Sequence, residues 1–318
     1  MIISASRRTD IPAFYCPWLL NRLREGRVLV RNPFNRHQVA DIRLDPSVVD
    51  CLVLWTKNPA PLLPYMREIE SMGYPTFIQY TITACDQHLE PSLPSVKTRI
   101  VTFKKISELL GPERVLWRFD PILLTKKQDV DHCLTRFTEL AKALQGLTHQ
   151  CTISFVRLYA KCRRNLAGID LLEPDDLKKK ELAVRLNSMA TAHGIRLMAC
   201  CDSFLSNECG IEQAHCIDAR QLGTILGHDL VVKKDPGQRP GCGCSMSIDI
   251  GTYDSCPHGC RYCYANTSHQ AAMRNIAAHD PFSPILNGHI QGDEIIRKRA
   301  MVSLRKKQPP LLAALPKV

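Results

Sequence analysis

Residues 95–119 read SVKTRIVTFKKISELLGPERVLWRF and contain one complete helix–strand unit. Ser95 is a typical N-cap residue, residues 96–110 follow a helical pattern, and Gly111 provides the left-handed residue that ends many helices. Residues 114–119 form an apolar and aromatic run of the kind found in buried strands. The stretch therefore predicts one β–α unit of an α/β protein.

Similar units continue along the chain. The predicted strands are residues 2–6, 51–56, 76–83, 114–119, 152–158, 195–200 and 247–251. The predicted helices, each followed by a glycine, are residues 14–25, 62–72, 96–110, 129–145, 175–193 and 211–226. Six or seven β–α units in series predict a parallel (β/α) barrel of the TIM-barrel type, partial or complete, with a doubly wound open sheet as the alternative. Residues 28–31 and 39–43 flank a polar turn and predict an inserted hairpin.

The composition excludes several classes of protein. The chain has 318 residues, of which 45% are apolar and 23% charged, as is usual for a globular protein. No apolar run reaches the roughly 18 residues that a membrane span needs, and the start MIISASRRTDIP lacks the apolar segment of a signal peptide. We therefore expect a cytoplasmic protein without a membrane partner. The formal charge of +11 permits nucleic acid, an acidic partner or an anionic cofactor.

The 15 cysteines are unevenly distributed. Six are spread singly over the first 162 residues, and their spacing predicts buried apolar side chains. The other nine lie between Cys200 and Cys263. Because a reducing compartment disfavours disulfides, such a dense group indicates metal binding or catalysis.

Polar and charged residues follow six of the predicted strands. They are found at residues 6–10, 56–58, 85–88, 118–120, 157–159 and 200–202. The carboxyl ends of the strands in a parallel barrel meet at one rim, where the chemistry of such enzymes is found. The pattern predicts a shared polar cavity at that rim, and ordinary polar loops are the alternative.

Residues 255–266 read SCPHGCRYCYAN and contain three cysteines with the spacing C-x3-C-x2-C. The thiolates of Cys256, Cys260 and Cys263 can bind three irons of a [4Fe–4S] cluster and leave the fourth iron open. Tyr262 lies beside the third cysteine, where its ring can shield the cluster and pack against an adenine. A zinc site is the competing interpretation, although zinc prefers four ligands.

The stretch CPHGCRYCY resembles the cysteine loop of the radical S-adenosylmethionine (radical SAM) superfamily. The resemblance implies that the open iron binds SAM, and that one electron then cleaves SAM to methionine and a 5′-deoxyadenosyl radical. It also implies a reductant such as flavodoxin or ferredoxin, the three cysteines as ligands, and Tyr262 as a contact of the adenine. That loop usually follows the first barrel strand, whereas here it lies near the carboxyl end. We therefore predict a permuted barrel in which residues 247–251 pair beside residues 2–6.

Two further resemblances extend this interpretation. Most of residues 1–266 resemble an uncharacterised family, labelled a domain of unknown function, through SRRTDIPAFY, WTKNP, WRFDPI, the Gly241–Cys244 cysteines, SIDIGTYDSC and CRYCYAN. WTKNP and RFDP are also similar to pieces of the spore photoproduct lyases, radical SAM enzymes that repair DNA. The similarity implies that Lys57 pairs with the SAM carboxylate, and that Arg118 and Asp120 orient SAM or substrate. A lysine–aspartate pair inside the barrel is the alternative.

The remaining cysteines predict a second site. Cys242 and Cys244, separated by one glycine, can bind neighbouring irons of one cluster. Cys200 and Cys216 complete a four-thiolate set, which would leave no iron open and would serve as an electron relay or a structural element. The alternatives are zinc and unligated thiols, and Cys201 and Cys209 are possible substitutes as ligands.

These observations give one leading hypothesis. Residues 1–266 would form the barrel, with the second cysteine cluster at 200–244, and residues 267–318 would form a helical, basic extension. Arg7, Arg8 and Asp10 would line the rim that binds the cofactor. The enzyme would start radical chemistry on an unidentified substrate, with nucleic acid compatible with the charge. The alternative is a zinc- or iron–sulfur-containing protein that binds nucleic acid without catalysis.

Overall fold

Eight parallel strands form the central sheet of the computed structural model, which describes residues 1–306. In chain order they are β1 (Ile2–Ala5), β2 (Cys51–Thr56), β3 (Thr76–Thr81), β4 (Val115–Ile122), β5 (Gln150–Phe155), β6 (Arg196–Cys200), β7 (Glu212–Ala214) and β8 (Ile248–Asp249). Their order in the sheet is β7–β6–β5–β4–β3–β2–β1–β8, and every neighbouring pair is parallel. The protein therefore has an α/β fold with a large parallel sheet, as predicted.

The strand order follows the chain, except that the last strand lies beside the first. Ile3 pairs with Ile248 and Ser4 pairs with Asp249, which confirms the predicted pairing of the two chain ends. A return of the chain to the other side of the first strand also occurs in doubly wound sheets, so this strand order is compatible with both predicted alternatives. The outer strands are β7 and β8, and within residues 1–306 no strand pairing joins them. The predicted closure of a barrel is therefore not observed as a continuous ladder.

Ten α-helices accompany the sheet in the described part of the chain. They are α1 (Ile11–Phe14), α2 (Cys16–Glu25), α3 (Met66–Ser71), α4 (Val96–Leu110), α5 (Val130–Leu144), α6 (Ala160–Asn165), α7 (Asp176–Ala192), α8 (Ser203–Cys209), α9 (Ala219–Leu226) and α10 (His269–Ala277), with a 3₁₀ helix at Ala60–Tyr65. None of the helices within residues 1–306 combines the length and apolar character that spanning a bilayer requires.

The main hydrophobic core lies between one face of the sheet and the long helices. Tyr80 of β3 stacks on Phe103 of α4, with ring centroids 5.1 Å apart. Trp117 of β4 stacks on Phe137 of α5 at 5.0 Å. Successive side chains of a strand point to opposite faces, so this core takes every second residue and leaves the others for the second face.

The second face of the sheet changes in character along the strands. Near their amino ends, Ile2, Val53 and Phe77 form a smaller apolar cluster with Ala219 and Leu222 of α9. Two residues further along the same strands lie Ser4, Trp55 and Gln79, which form hydrogen bonds. Helix α9 therefore covers the apolar part of this face, and the polar part is left at the carboxyl ends.

Several stretches differ from the sequence prediction. Residues 211–226 were expected to form one helix, but they contain strand β7 and the shorter helix α9. Strand β7 pairs in parallel with β6, with Met198 opposite Glu212, and Asp218 caps α9 by accepting a hydrogen bond from the Arg220 N–H at 2.9 Å. Pairing with β6 thus makes residues 212–214 a strand, although their local pattern favours a helix. The short helices α6 and α8 were not predicted.

The inserted hairpin is confirmed and is part of a larger sheet. Strands Arg27–Asn32 and Asn35–Arg43 are antiparallel, and Ile295–Lys298 adds in parallel to the second of them. The predicted helical extension thus contains helix α10 and then a strand. Residues 307–318, the end of the predicted helical and basic extension, lie outside the described residues. A two-stranded sheet is formed by Leu124–Thr125 and Leu171–Leu172.

Asp249 holds strand β8 to the end of β1. One carboxylate oxygen accepts hydrogen bonds from the Arg7 N–H at 2.8 Å and the Ser4 hydroxyl at 3.2 Å. The other accepts from the Ser6 hydroxyl at 2.6 Å and the Gly251 N–H at 3.0 Å. The side chain is only 11% exposed, so these donors depend on it rather than on water.

We expect Asp249→Ala to lower the free energy of unfolding by about 2 kcal/mol, because partly buried donors lose their common acceptor. Urea unfolding of the purified protein measures the effect. The matched control is Asp176→Ala on α7, whose side chain is 69% exposed and whose loss should cost less than about 0.5 kcal/mol. Equal urea midpoints for the two variants would show that Asp249 does not fasten the chain ends.

Candidate metal and cofactor site

A cavity of about 450 Å³ lies at the carboxyl ends of the strands, on the polar part of the second face. Fourteen side chains that the sequence singles out line it. They are Arg7, Arg8, Asp10, Lys57, Arg118, Asp120, Cys200, Cys216, Cys242, Cys244, Cys256, Cys260, Tyr262 and Cys263. Cys201 and Cys209, the possible substitute ligands, are not part of this lining. The structure therefore brings the candidate residues together, while their individual roles stay predictions.

The cysteine loop that follows β8 is held at both ends by hydrogen bonds. The Tyr15 hydroxyl donates to the Ser255 carbonyl at 2.5 Å, and the Asn266 side-chain amide donates to the Cys256 carbonyl at 2.6 Å. Gly259 has a φ of +69°, and a Cβ there would lie 3.2 Å from the Pro91 side chain. The loop conformation therefore requires glycine at this position.

The thiols of Cys256, Cys260 and Cys263 belong to half-buried residues and lie close to one another. Burial raises the pKa of each thiol, and the charge of a neighbouring cysteine of the loop adds to the increase for Cys256 and Cys260. Thiols in such surroundings stay protonated until a metal takes the place of the proton. Three soft thiolates on one wall of the cavity are a donor set that fits iron–sulfur ligation.

No site arranged to hold a single metal ion is found in residues 1–306. No group of three or more histidine, cysteine, aspartate or glutamate side chains there is arranged to hold one metal ion. A zinc ion requires all its ligands at about 2.0–2.3 Å from one point, whereas the thiolates of a cube each bind a different iron. The loop itself supplies three thiols, one fewer than the four ligands that zinc prefers.

Asp10 connects three segments of the site. One carboxylate oxygen caps α1 by accepting from the Ala13 N–H at 3.0 Å. The other accepts from the Lys57 N–H at 2.7 Å and lies 2.8 Å from His258 Nε2. Both oxygens thus have partners within the chain, so the geometry gives Asp10 a positioning role beside the predicted cofactor contact.

Lys57 belongs to a buried network at the cysteine loop. Its ammonium donates to Glu90 Oε1 at 2.7 Å and to the Tyr262 hydroxyl at 2.8 Å, and the Tyr262 hydroxyl also donates to Glu90. Arg99 contacts the second oxygen of Glu90 at 3.4 Å. Burial lowers the pKa of Lys57, but the charge of Glu90 raises it, and the net effect is a raised pKa. Lys57 is therefore a fixed cation at this wall of the cavity.

Arg118 lies at the second cysteine group. Its guanidinium forms an ion pair with Asp120, donates to the Cys216 sulfur at 2.9 Å and lies 4.9 Å from the centre of the Trp55 ring. Arg7 lies over the same ring, also at 4.9 Å. Two cations thus share one aromatic side chain, an arrangement that favours nearby negative charge.

Arg8 is directed towards the chain end that carries the cysteine loop. Its guanidinium donates to the Gly251 carbonyl at 3.4 Å and lies 5.5 Å from the centre of the Tyr253 ring. The Tyr264 hydroxyl donates to the Arg7 carbonyl at 2.8 Å. The first loop and the cysteine loop are therefore joined on both sides of the cavity.

Sequence reasoning missed several residues of the site. Glu90 lies only two positions beyond the polar residues noted after the third predicted strand, and a carboxylate in such a loop is the signal that could have found it. His258 lies inside the cysteine motif, but its partner Asp10 is 248 residues away. Trp55 reads as an ordinary strand residue, and nothing local marks its position between two arginines.

We expect Glu90→Gln to lower the free energy of unfolding by about 3 kcal/mol at neutral pH, because two buried cations lose their anion. Burial raises the pKa of Glu90, but Lys57 and Arg99 outweigh it and lower that pKa. The contribution is therefore present above about pH 4.3 and lost as the pH falls further. Urea unfolding at several pH values measures this difference between wild type and variant.

The control for this prediction is Glu108→Gln on α4, whose side chain is 60% exposed and whose ion pair with Lys104 should contribute less than about 0.5 kcal/mol. A stability difference for Glu90→Gln that stays constant down to pH 3 would contradict an ionised Glu90 between the two cations.

Comparison with known proteins identifies the family of the chain. The sequence profile described as "Domain of unknown function (DUF1848)" matches residues 2–265. A search of curated proteins finds no match. The resemblance to an uncharacterised family is thus confirmed, while the resemblances to the radical SAM superfamily and to spore photoproduct lyases stay predictions. Because the match covers well over half of the sequence, the chain belongs to the DUF1848 family.

Proposed function

We propose that this protein is a radical SAM enzyme that binds a [4Fe–4S] cluster through Cys256, Cys260 and Cys263. The observation that carries the proposal is that the three thiols of a C-x3-C-x2-C loop line a cavity together with fixed cations. The cluster, when bound, supplies the electron that cleaves SAM reductively. An external reductant such as flavodoxin or ferredoxin is required, because no other electron source is implied by the residues of the cavity.

The finer description of the fold belongs to this proposal. A parallel sheet whose last strand pairs with its first is expected for a permuted (β/α) barrel. Within the described residues, no strand pairing joins β7 to β8. The segments next to these strands are instead joined by a backbone hydrogen bond, in which the Ser245 N–H donates to the Ile217 carbonyl at 2.8 Å. We therefore describe the fold as a partial, TIM-like barrel with the cluster-bearing unit at the carboxyl end.

Lys57 and Tyr262 are suited to hold SAM beside the loop. Glu90 occupies two donors of this pair, namely the Tyr262 hydroxyl and one N–H of the Lys57 ammonium. An ammonium has three donors, so it can also bind a carboxylate such as that of SAM by a charge-assisted hydrogen bond. Tyr262 is 7% exposed, and this small exposed part of its ring borders the cavity where an adenine would pack.

Arg118 and Asp120 form the opposite wall. Their ion pair fixes the guanidinium, which gives the cavity a rigid polar surface for orienting SAM or a substrate. Phe155 and Trp55 border the same space, and their apolar surfaces would help to keep water from it. A radical reaction needs such exclusion, since the protein contributes positioning and protection while the cofactor breaks the bond.

We expect wild-type protein, reconstituted with iron and sulfide without oxygen and then reduced, to form 5′-deoxyadenosine from SAM. Cys256→Ser, Cys260→Ser and Cys263→Ser should each lower that rate at least about 100-fold, because each leaves one iron without its thiolate. Chromatography of the nucleoside product measures the rate. The matched control is Cys209→Ser, since Cys209 lies on α8 outside the cavity lining. Wild type that forms no 5′-deoxyadenosine, or that holds zinc in the loop, would contradict the proposal.

A second candidate function, nucleic-acid binding, is favoured by one surface. A groove of about 540 Å³ lies beside the first cavity and shares Arg7 and Arg8 with it. Its other basic side chains are Arg31, Arg297, Lys298 and Arg299. Phe34 borders the groove at the hairpin turn and is 94% exposed. Basic side chains that follow a backbone and an exposed aromatic ring are the features that hold single-stranded nucleic acid.

We expect the protein to bind a fluorescent single-stranded oligonucleotide with an affinity that falls as salt rises. Lys298→Glu with Arg299→Glu should weaken binding at least about 10-fold and reduce the salt dependence, because two phosphate contacts are lost. Fluorescence anisotropy at several salt concentrations measures both effects. The control, Lys104→Glu on α4, changes a charge that does not border the groove. Binding that salt leaves unchanged would contradict this second function.

A further inference from the structure

We propose that Cys200, Cys216, Cys242 and Cys244 bind a second, fully ligated iron–sulfur cluster. Three separate segments supply these cysteines. Cys200 is the last residue of β6, Cys216 follows β7, and the other two lie on the segment that leads to β8. This site is independent of the proposed SAM cluster, and its test below separates the two.

The four thiols form one contiguous group. The sulfurs of Cys200 and Cys216 are 3.4 Å apart. Cys244 lies within hydrogen-bonding reach of both Cys216 and Cys242, so each thiol contacts at least one other. Cys216, Cys242 and Cys244 are buried, and together with Cys200 and Trp55 they form a packed cluster of their own. Four thiols from three segments meet here without forming part of the main hydrophobic core.

Three arginines lie near the four thiols, although neutral thiols need no cationic partner. Arg118 donates to the Cys216 sulfur at 2.9 Å. The charge of Arg7 acts on Cys242 and Cys244, and that of Arg239 acts on Cys200. Guanidinium groups do not lose their protons in proteins, so the charge is permanent. Asp120 pairs with Arg118, and four thiolates on a cluster would add negative charge beside all three guanidinium groups.

An unpartnered donor points to a ligand at the same place. Arg7 Nη2 is buried and has no hydrogen-bond partner among residues 1–306. The ordinary expectation is that buried donors are paired, so the exception calls for an acceptor. Sulfide and thiolate sulfurs of a cluster are acceptors of this kind, and Arg7 borders the cavity that Cys242 and Cys244 line.

The backbone at Cys242–Cys244 passes close to the ring of His215. A Cβ at Gly243 would lie 2.5 Å from His215 Nε2, so a larger residue there would require this partly exposed ring to move. Glycine at this position therefore leaves room for the His215 ring beside the two cysteines.

The number of donors fits a fully ligated cluster. The 3.4 Å between the sulfurs of Cys200 and Cys216 also suits a tetrahedral zinc site, so zinc is the other occupant that the test distinguishes. Four thiolates occupy all four irons of a cube, so SAM cannot bind there. Both cysteine groups border one cavity, so the second cluster suits an electron relay or a structural element. The relay role rests on the proposed SAM cluster, whereas the binding of the second cluster does not.

The test uses the full chain with Cys256→Ser, Cys260→Ser and Cys263→Ser combined, which removes the first site. After anaerobic reconstitution this variant should hold about four irons and wild type about eight, because each cube has four. On reduction, the variant should give an electron paramagnetic resonance signal that SAM does not change. Adding Cys216→Ser should remove at least about 80% of that iron. Adding Cys209→Ser instead should leave it in place.

Each outcome decides between the two sites. A triple variant without iron overturns the second cluster and leaves the SAM proposal standing. Wild type with about four irons, all retained in the triple variant, supports the second cluster and overturns the SAM cluster. One zinc in the triple variant overturns the iron–sulfur assignment. Should the combined variant not fold by circular dichroism, wild type alone must give two reduced signals of which only one responds to SAM, and a single signal overturns the proposal.

Discussion

The parallel pairing of Ile248 with Ile3 is the constraint on which the site depends. This pairing brings the loop of residues 255–266 next to the first loop of the chain. The contacts between these two loops depend on that register. His258 lies 2.8 Å from Asp10, and the Tyr264 hydroxyl donates to the Arg7 carbonyl. A slip of one residue would turn every side chain of β8 to the opposite face, and the Asp249 carboxylate would lose its four donors. Asp249 thus specifies the register as well as stabilising it.

The second physical feature is the separation of apolar and polar residues along one face of the sheet. Helix α9 packs on the apolar side chains near the amino ends of the strands and covers that part of the face. The carboxyl ends then hold two cysteine groups, each with its own cation: Lys57 beside the loop that carries Cys260, and Arg118 beside Cys216. Each cation is fixed by a carboxylate, Glu90 in one case and Asp120 in the other. This duplication favours two anionic centres rather than one.

Much of the fold could be predicted because strands buried on both faces carry their signal locally. Cys51–Thr56 and Val96–Leu110 have the predicted bounds, and the pairing of the chain ends followed from the position of the cysteine loop. Strand β7 could not be predicted, because its three residues are defined by pairing with β6 and not by their own pattern. The same reason applies to Glu90 and Trp55. Their importance lies in partners that are distant in the chain, such as Tyr262, 172 residues away from Glu90.

The charges of the cavity bear on how its metal centres would form. Burial keeps the thiols of the cysteine loop protonated, while Lys57 and Arg118 stay charged. Without metal, Glu90 pairs with Lys57 and Asp120 pairs with Arg118, so neither cation depends on a thiolate. In the proposed loaded state, the thiols would exchange their protons for iron and add negative charge beside the same cations. The carboxylates thus hold the cations in place before loading, and the proposed clusters would add to that stabilisation afterwards.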